Sequence, residues 1–246
     1  MNFIESGVEG LDEQLGGGIP LGKSIMICGG PGSGKTTFLA QFLVHGAEKT
    51  NEKGLLVLLN QSYLDLVDTC ESIDIDIEKY ISDNKIMIID SSPVEKSVED
   101  TISRPEWYIM PNTDDVEKFK AEELFAKIEY VCKEYHIKRV AIDSCTSLRL
   151  DFTHESEFRD EHLRFTNSLS MMNVTTIFSS ETTLDMISVH RISEAFLCQG
   201  VIILHNILTG VDRKRYIEVL KLRGVNHKIG LKQFTIKQNG ITIDAT

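Results

Sequence analysis

Gly29-Gly30-Pro31-Gly32-Ser33-Gly34-Lys35-Thr36 follows the apolar run Ser24-Ile25-Met26-Ile27-Cys28 and leads into Thr37, Phe38 and Leu39. Four free positions between Gly29 and Gly34, followed by Lys-Thr, match the spacing of a loop that wraps phosphate. The flanks fit that reading: the run before the loop is apolar enough for a buried strand, and Thr37 to Lys49 has helical character. Glycines allow the backbone to form an anion-binding nest at the positive end of a helix dipole. Lys35 then reaches the β- and γ-phosphates as a point charge, and the Thr36 hydroxyl is placed to ligate Mg²⁺. The expected nucleotide-binding set is Gly30, Pro31, Gly32, Ser33, Gly34, Lys35, Thr36 and Thr37. A glycine-rich turn with no ligand would not require all eight positions and both flanks.

Working outward, 246 residues at 41% hydrophobic content can bury a full core and fit one large α/β domain spanning 1–246. No run of 18 apolar residues occurs, and Met1-Asn2-Phe3-Ile4-Glu5 lacks the basic-then-apolar order of a secretion signal. The expectation is a soluble, cytoplasmic chain with no membrane partner. Cys28, Cys70, Cys132, Cys145 and Cys198 are widely separated, which suggests reduced, packed thiols rather than a zinc cage or disulfide framework. A net charge of −11 disfavours nucleic acid as a general electrostatic partner. Between His205 and Lys237, however, eight basic residues meet two acidic ones, a local +6 that leaves −17 for the rest. The cluster Arg213-Lys214-Arg215 within it reads equally as a partner-facing surface or as the solvated face of a hairpin.

Other runs extend the alternation of strand and helix. Ser6 to Gly22 is loop-like, with Gly16-Gly17-Gly18-Ile19-Pro20 unable to hold a regular helix or central strand. Leu55 to Leu59 has no polar interruption, as expected for a strand buried on both faces of a parallel sheet, so Asn60 and Gln61 lie at its carboxyl end. A helix is expected over Tyr63 to Ser72, a strand over Ile86 to Asp90, and a longer helix over Asp115 to Tyr135. Residues 91–114 carry Pro93, Pro105 and Pro111 without a clear period and read as a long surface excursion. Within it, Trp107 to Met110 reads either as a partner anchor or, the favoured reading, as side chains that fold back over the domain. Val140-Ala141-Ile142-Asp143 is a strand ending in a carboxylate, which suits the Mg²⁺ shell. A helix from Glu155 to Met172 precedes the strand Val174 to Glu181, whose terminal carboxylate either senses the γ-phosphate or caps a turn. Beyond Gly200, strands over Val201 to Asn206, Tyr216 to Arg223, Phe234 to Lys237 and Ile241 to Asp244 suggest antiparallel pairing, the last two joined by Asn239-Gly240.

Taken together, Gly7-Val8-Glu9-Gly10-Leu11-Asp12, Leu15 to Gly22, the phosphate loop, Ile142-Asp143-Ser144 and Lys221-Leu222-Arg223-Gly224-Val225-Asn226-His227 resemble a single KaiC-type domain of the RecA/RadA superfamily. The likeness runs from near Ser6 to Ile243. It implies a RecA-like P-loop fold: a mainly parallel sheet, helices on both faces and antiparallel strands at the C-terminal end. It also implies ATP or ADP with Mg²⁺ held by Thr36 and Asp143, in a homo-oligomeric ring, taken as a hexamer, with ATP between neighbours. Lys221 and Arg223 alternate onto one strand face; the resemblance assigns this pair to the γ-phosphate in the adjacent subunit, and it gives Leu222 and His227 as further nucleotide-contacting positions. Ser72 also matches a nucleotide-contacting position. A basic edge strand that discourages aggregation is the other reading of that stretch.

One departure from the family pattern bears on catalysis. Where catalytic members carry two adjacent glutamates, this chain has Asn60 and Gln61. An amide orients water but cannot take its proton, and a positioned base contributes on the order of 10²- to 10⁴-fold. The expectation is therefore an ATP-binding switch with slow or impaired hydrolysis, in which Lys35, Asn60, Gln61, Asp143, Glu181, Lys221 and Arg223 form the candidate catalytic set. Alternatives are a DNA-binding RadA-type paralogue and a non-hydrolysing regulatory or motor-accessory subunit with a protein partner.

Overall fold

A computed structural model describes residues 2–91, 108–109, 120–181 and 193–244. In chain order the elements are β1 (Phe3–Ile4), α1 (Leu11–Gln14), β2 (Ile19–Pro20), β3 (Ser24–Gly29), α2 (Lys35–His45), β4 (Gly54–Leu58), α3 (Tyr63–Glu71), α4 (Ile77–Ser82) and β5 (Ile86–Asp90). They continue with β6 (Tyr108–Ile109), α5 (Ala121–Glu134), β7 (Arg139–Asp143), α6 (Cys145–Arg149), α7 (Glu155–Met171), β8 (Thr175–Glu181) and α8 (Ser193–Leu197). The chain closes with β9 (Gly200–Thr209), β10 (Asp212–Leu222), β11 (Leu231–Lys237) and β12 (Gly240–Ile243). A π-helical turn, Gly46–Thr50, extends α2.

Ten strands form the main sheet in the order β12-β11-β10-β9-β3-β8-β7-β4-β5-β6. From β9 to β6 the pairing is parallel, and β10, β11 and β12 are antiparallel. The α/β architecture is thus a mainly parallel sheet with antiparallel strands at the C-terminal end. Crossover direction sets the layers. The connections β3 to β4 and β4 to β5 run one way along the sheet, whereas β5 to β7 and β7 to β8 run back. Right-handed crossovers then put α2, α3 and α4 on one face and α5 and α7 on the other. The packing agrees: α2 touches α3 and α4, and α5 touches α7. Every residue of β3, β4, β5 and β7 is buried, which explains their unbroken apolar runs.

Buried polar contacts tie the layers together. On β7, the Arg139 guanidinium is fully buried, pairs with Glu52 at 2.7 Å, donates to Glu5 O and Phe42 O, and lies over the Phe42 ring. From α2, Gln41 donates to Asn239 O and Ile241 O and accepts from Ile241 N, clamping the β11–β12 turn to the helix that follows the phosphate loop.

Several elements differ from the sequence expectations. Ser6 to Gly22 is not wholly loop, because α1 lies within it and Ile19–Pro20 pairs with Phe3–Ile4 in a separate two-stranded sheet. The excursion 91–114 contains β6, which pairs with β5; four or two residues show no readable period. For the same reason α4, α6 and α8 escape detection. Tyr108 does fold back, donating its hydroxyl to Asp90 at 2.6 Å, while Trp107, Met110 and residues 115–119 lie outside the described residues. All five cysteines are buried, and none forms a disulfide. Among the described residues, no helix is long and apolar enough to cross a membrane.

Candidate nucleotide-binding site

Strand register brings the candidate residues to one edge. Gly29 at the end of β3 lies opposite Glu181, and Leu58 on β4 lies opposite Asp143 on one side and Asp90 on the other. The phosphate loop, Asn60, Gln61, Asp143 and Glu181 therefore all stand at the carboxyl ends of parallel strands, where open α/β sheets bind ligands.

The loop itself needs glycine. Gly32 and Gly34 have φ of +68° and +99°, and a Cβ on Gly34 would fall 2.9 Å from Ile236 Cδ1. Residues with a side chain disfavour such angles, and the β11–β12 hairpin closes the space behind. Lys35 opens α2, and its ammonium donates to Gly29 O at 2.9 Å and Gly30 O at 3.1 Å. Burial pushes the pKa of Lys35 down, opposed by the negative charges of Asp143 and Glu181. The Ser33 hydroxyl and the Gln61 amide nitrogen are buried without hydrogen-bond partners. Orphaned donors of this kind are uncommon in a finished core, and a polyphosphate chain in the nest would supply acceptors.

Thr36 Oγ1 donates to Asp143 Oδ2 at 2.8 Å, and Ser179 Oγ bonds the other carboxylate oxygen. One hydroxyl and one mostly buried carboxylate are the hard, oxygen-only donors that Mg²⁺ takes alongside water and phosphate oxygens. The residues fit the ion. When bound, it would neutralise charge on the β- and γ-phosphates; Thr36 and Asp143 are the residues that would hold it.

Asn60 is committed elsewhere in the network: its Nδ2 donates to Ser144 Oγ at 2.9 Å, and its Oδ1 accepts from Ser147. Gln61 retains an unpaired amide nitrogen beside it. Glu181 is exposed at the tip of β8, with its backbone N–H bonded to Thr146 Oγ1 at 3.2 Å. At this end of the strands stand the amides of Asn60 and Gln61 and the exposed carboxylate of Glu181.

Other candidates are not brought to this edge. Leu222 pairs with Gly200, which pairs with Ile25 at the start of β3, about four residues or ~13 Å along the strand from Gly29. Lys221 Nζ donates to Ala195 O at 3.0 Å and Arg223 to Phe196 O at 3.3 Å. The two cations do converge, but on the carboxyl end of α8, at the opposite end of the sheet from their own phosphate loop. Burial and the neighbouring Arg223 push the Lys221 pKa down. His227 follows β10 beside Lys228, whose N–H bonds Gln14 O, and Ser72 ends α3 with its hydroxyl on Thr69 O.

Sequence reasoning missed Arg215 and Asn206. They face each other across β10 and β9, beyond the last residue of β9 that pairs with β3. Arg215 Nε donates to Gly32 O at 3.1 Å. No local motif marks this contact; only the overhang of the hairpin past the end of β3 reveals it.

Comparison with known proteins places this architecture. The family model described as the KaiC ATPase matches residues 4–246. The circadian clock oscillator protein KaiC of Parathermosynechococcus lividus is 35% identical over 240 residues, covering 97% of this chain and 42% of that relative. Its counterpart from Synechococcus elongatus is 32% identical over 237 residues, covering 96% of this chain and 43% of that relative. The chain thus spans less than half the length of these curated relatives. Among solved structures, a KaiC-like protein of Pyrococcus horikoshii superposes with a TM-score of 0.77 at 31% identity, covering 99% of each chain. With a RecA-type sheet, a phosphate loop between β3 and α2, and a family match over nearly its whole length, this chain belongs to the KaiC ATPase family.

Proposed function

We propose that the chain is an ATP-binding switch of the KaiC type, in which hydrolysis is slow and the bound nucleotide governs assembly with further copies or with a regulatory protein. The observation that carries this reading is the pairing of an intact phosphate and metal apparatus with amides at the position of the base. Lys35 and the loop N–H groups hold phosphates, Thr36 and Asp143 hold Mg²⁺, and Gln61 orients water without accepting its proton. Asn60, fixed by Ser144 and Ser147, supports that end of β4.

The placement of the cations supports ring assembly. Lys221 and Arg223 sit at the end of the sheet opposite their own loop, so they meet a γ-phosphate only when supplied by a neighbour, as an arginine finger is in trans. Leu222, His227 and Ser72 belong to the same proposed shared site, and a hexamer is the expected ring. Light scattering with and without Mg-ATP tests this. ATP should raise the molar mass, and Arg223→Ala should abolish the rise; a mass indifferent to ATP would remove the shared-site reading.

A further inference from the structure

The β9–β10 hairpin overhangs the phosphate loop. Pairing between β9 and β3 ends at Leu204 opposite Gly29, and β9 continues to Thr209. The overhang puts Asn206 and Arg215, cross-strand partners, beside Gly32. Arg215 Nε–H points at the Gly32 carbonyl, and the Asn206 amide nitrogen lies 3.7 Å from where a Gly32 Cβ would stand. Asn206 Oδ1 is buried without a partner, and the Asn206 backbone carbonyl accepts from Arg213 at 3.1 Å. The second basic side chain therefore secures the strand that carries Asn206.

The contact controls a peptide plane. In a trans peptide the carbonyl and the following N–H point in opposite directions. Holding Gly32 C=O outward against the guanidinium fixes the Ser33 N–H inward across the loop. There it donates to Gly30 O over a long 3.3 Å, a bond easily exchanged for a phosphate oxygen. Gly32, at φ +68°, has no side chain to hold this plane by itself.

We infer that Arg215, with Asn206, is a positioning pair that sets the orientation of the Gly32–Ser33 peptide and thereby the affinity of the loop for the diphosphate portion common to ADP and ATP. The inference rests on the nucleotide reading above and adds residues the phosphate-loop motif does not contain. The pair acts through the loop backbone, so its removal weakens ADP and ATP alike, unlike loss of a group that meets only the γ-phosphate.

Calorimetric titration of Mg-ADP and Mg-ATP into wild type, Arg215→Ala, Asn206→Ala and the double variant tests the pair, with thermal unfolding of each unliganded protein alongside. Arg215→Ala should weaken both nucleotides by about 10-fold, with an unchanged unfolding midpoint, as loss of one charge-assisted hydrogen bond implies. The double variant should lose less than the product of the single losses, since both side chains act on one peptide. Equal affinity in wild type and Arg215→Ala, a loss confined to ATP, or a loss matched by a lower unfolding midpoint would each overturn the inference. A wild type that binds neither nucleotide would instead overturn the reading beneath it.

Discussion

Thr36 and Asp143, 107 residues apart in sequence, meet through a 2.8 Å hydrogen bond at the carboxyl edge of the sheet. The contact brings the end of the phosphate-loop motif to the tip of β7. Both oxygens are then at hand for one divalent ion, with Ser179 fixing the other side of the carboxylate. Asp143→Asn removes the charge while preserving shape. It should weaken nucleotide binding in Mg²⁺ by at least about 10-fold and change binding in EDTA little, because the variant acts through the ion. Titrations with and without Mg²⁺ check this; an equal loss in both would assign Asp143 a purely structural role.

Gln61→Glu supplies a carboxylate at the end of β4, where the amide nitrogen is now buried and unpaired. Steady-state ATP turnover should rise by about 10²-fold, the lower end of what a placed base contributes. Fast wild-type turnover that this variant does not increase would contradict the missing-base argument.

How far these positions could be read from sequence depended on whether the cue was local. The loop and Asp143 were legible because each follows an apolar run of a fully buried strand. Asn60 and Gln61 were located in the same way, by the uninterrupted Leu55 to Leu59. Arg215 was not legible: alternation along β10 says which face it takes, but its partner Gly32 lies 183 residues away and is met only through the overhang past β3. Arg139 shows the same limit. Nothing in the run Arg139-Val140-Ala141 announces the contacts of its arginine, yet this guanidinium is fully buried, with Glu52, Glu5 O and Phe42 O around it.

That burial depends on Gly46. A Cβ there would overlap the Arg139 side chain at Nε and Cδ, so Gly46→Ala must displace a buried, paired guanidinium. The expected cost is about 3 kcal/mol, in the range for breaking a buried ion pair, measured by urea denaturation. A change under about 0.5 kcal/mol would show that the arginine can move at little cost.

His162 is buried on α7 among Phe158 and Phe178, with Cys198 Sγ at 3.9 Å, and burial pulls its pKa down from 6.5 to about 4. Below pH 6.5 the unfolded chain takes up a proton that the fold refuses. This contribution to stability is therefore complete above pH 6.5 and lost as pH falls toward 4, amounting to about 3 kcal/mol across that window. Denaturation midpoints at pH 7 and pH 5 should differ more in wild type than in His162→Leu. Equal pH dependence in the two proteins would mean that the imidazole is protonated within the fold.

The most direct measurement is calorimetric titration of Mg-ATP and Mg-ADP into wild type and Lys35→Ala. The Lys35 ammonium, held over the loop carbonyls of Gly29 and Gly30, is the charge proposed to meet the phosphates. Saturable binding by wild type, weakened at least about 100-fold in a variant that stays folded, is the predicted result. A folded wild type that takes up neither nucleotide, or a Lys35→Ala variant that binds both as tightly, would contradict the account.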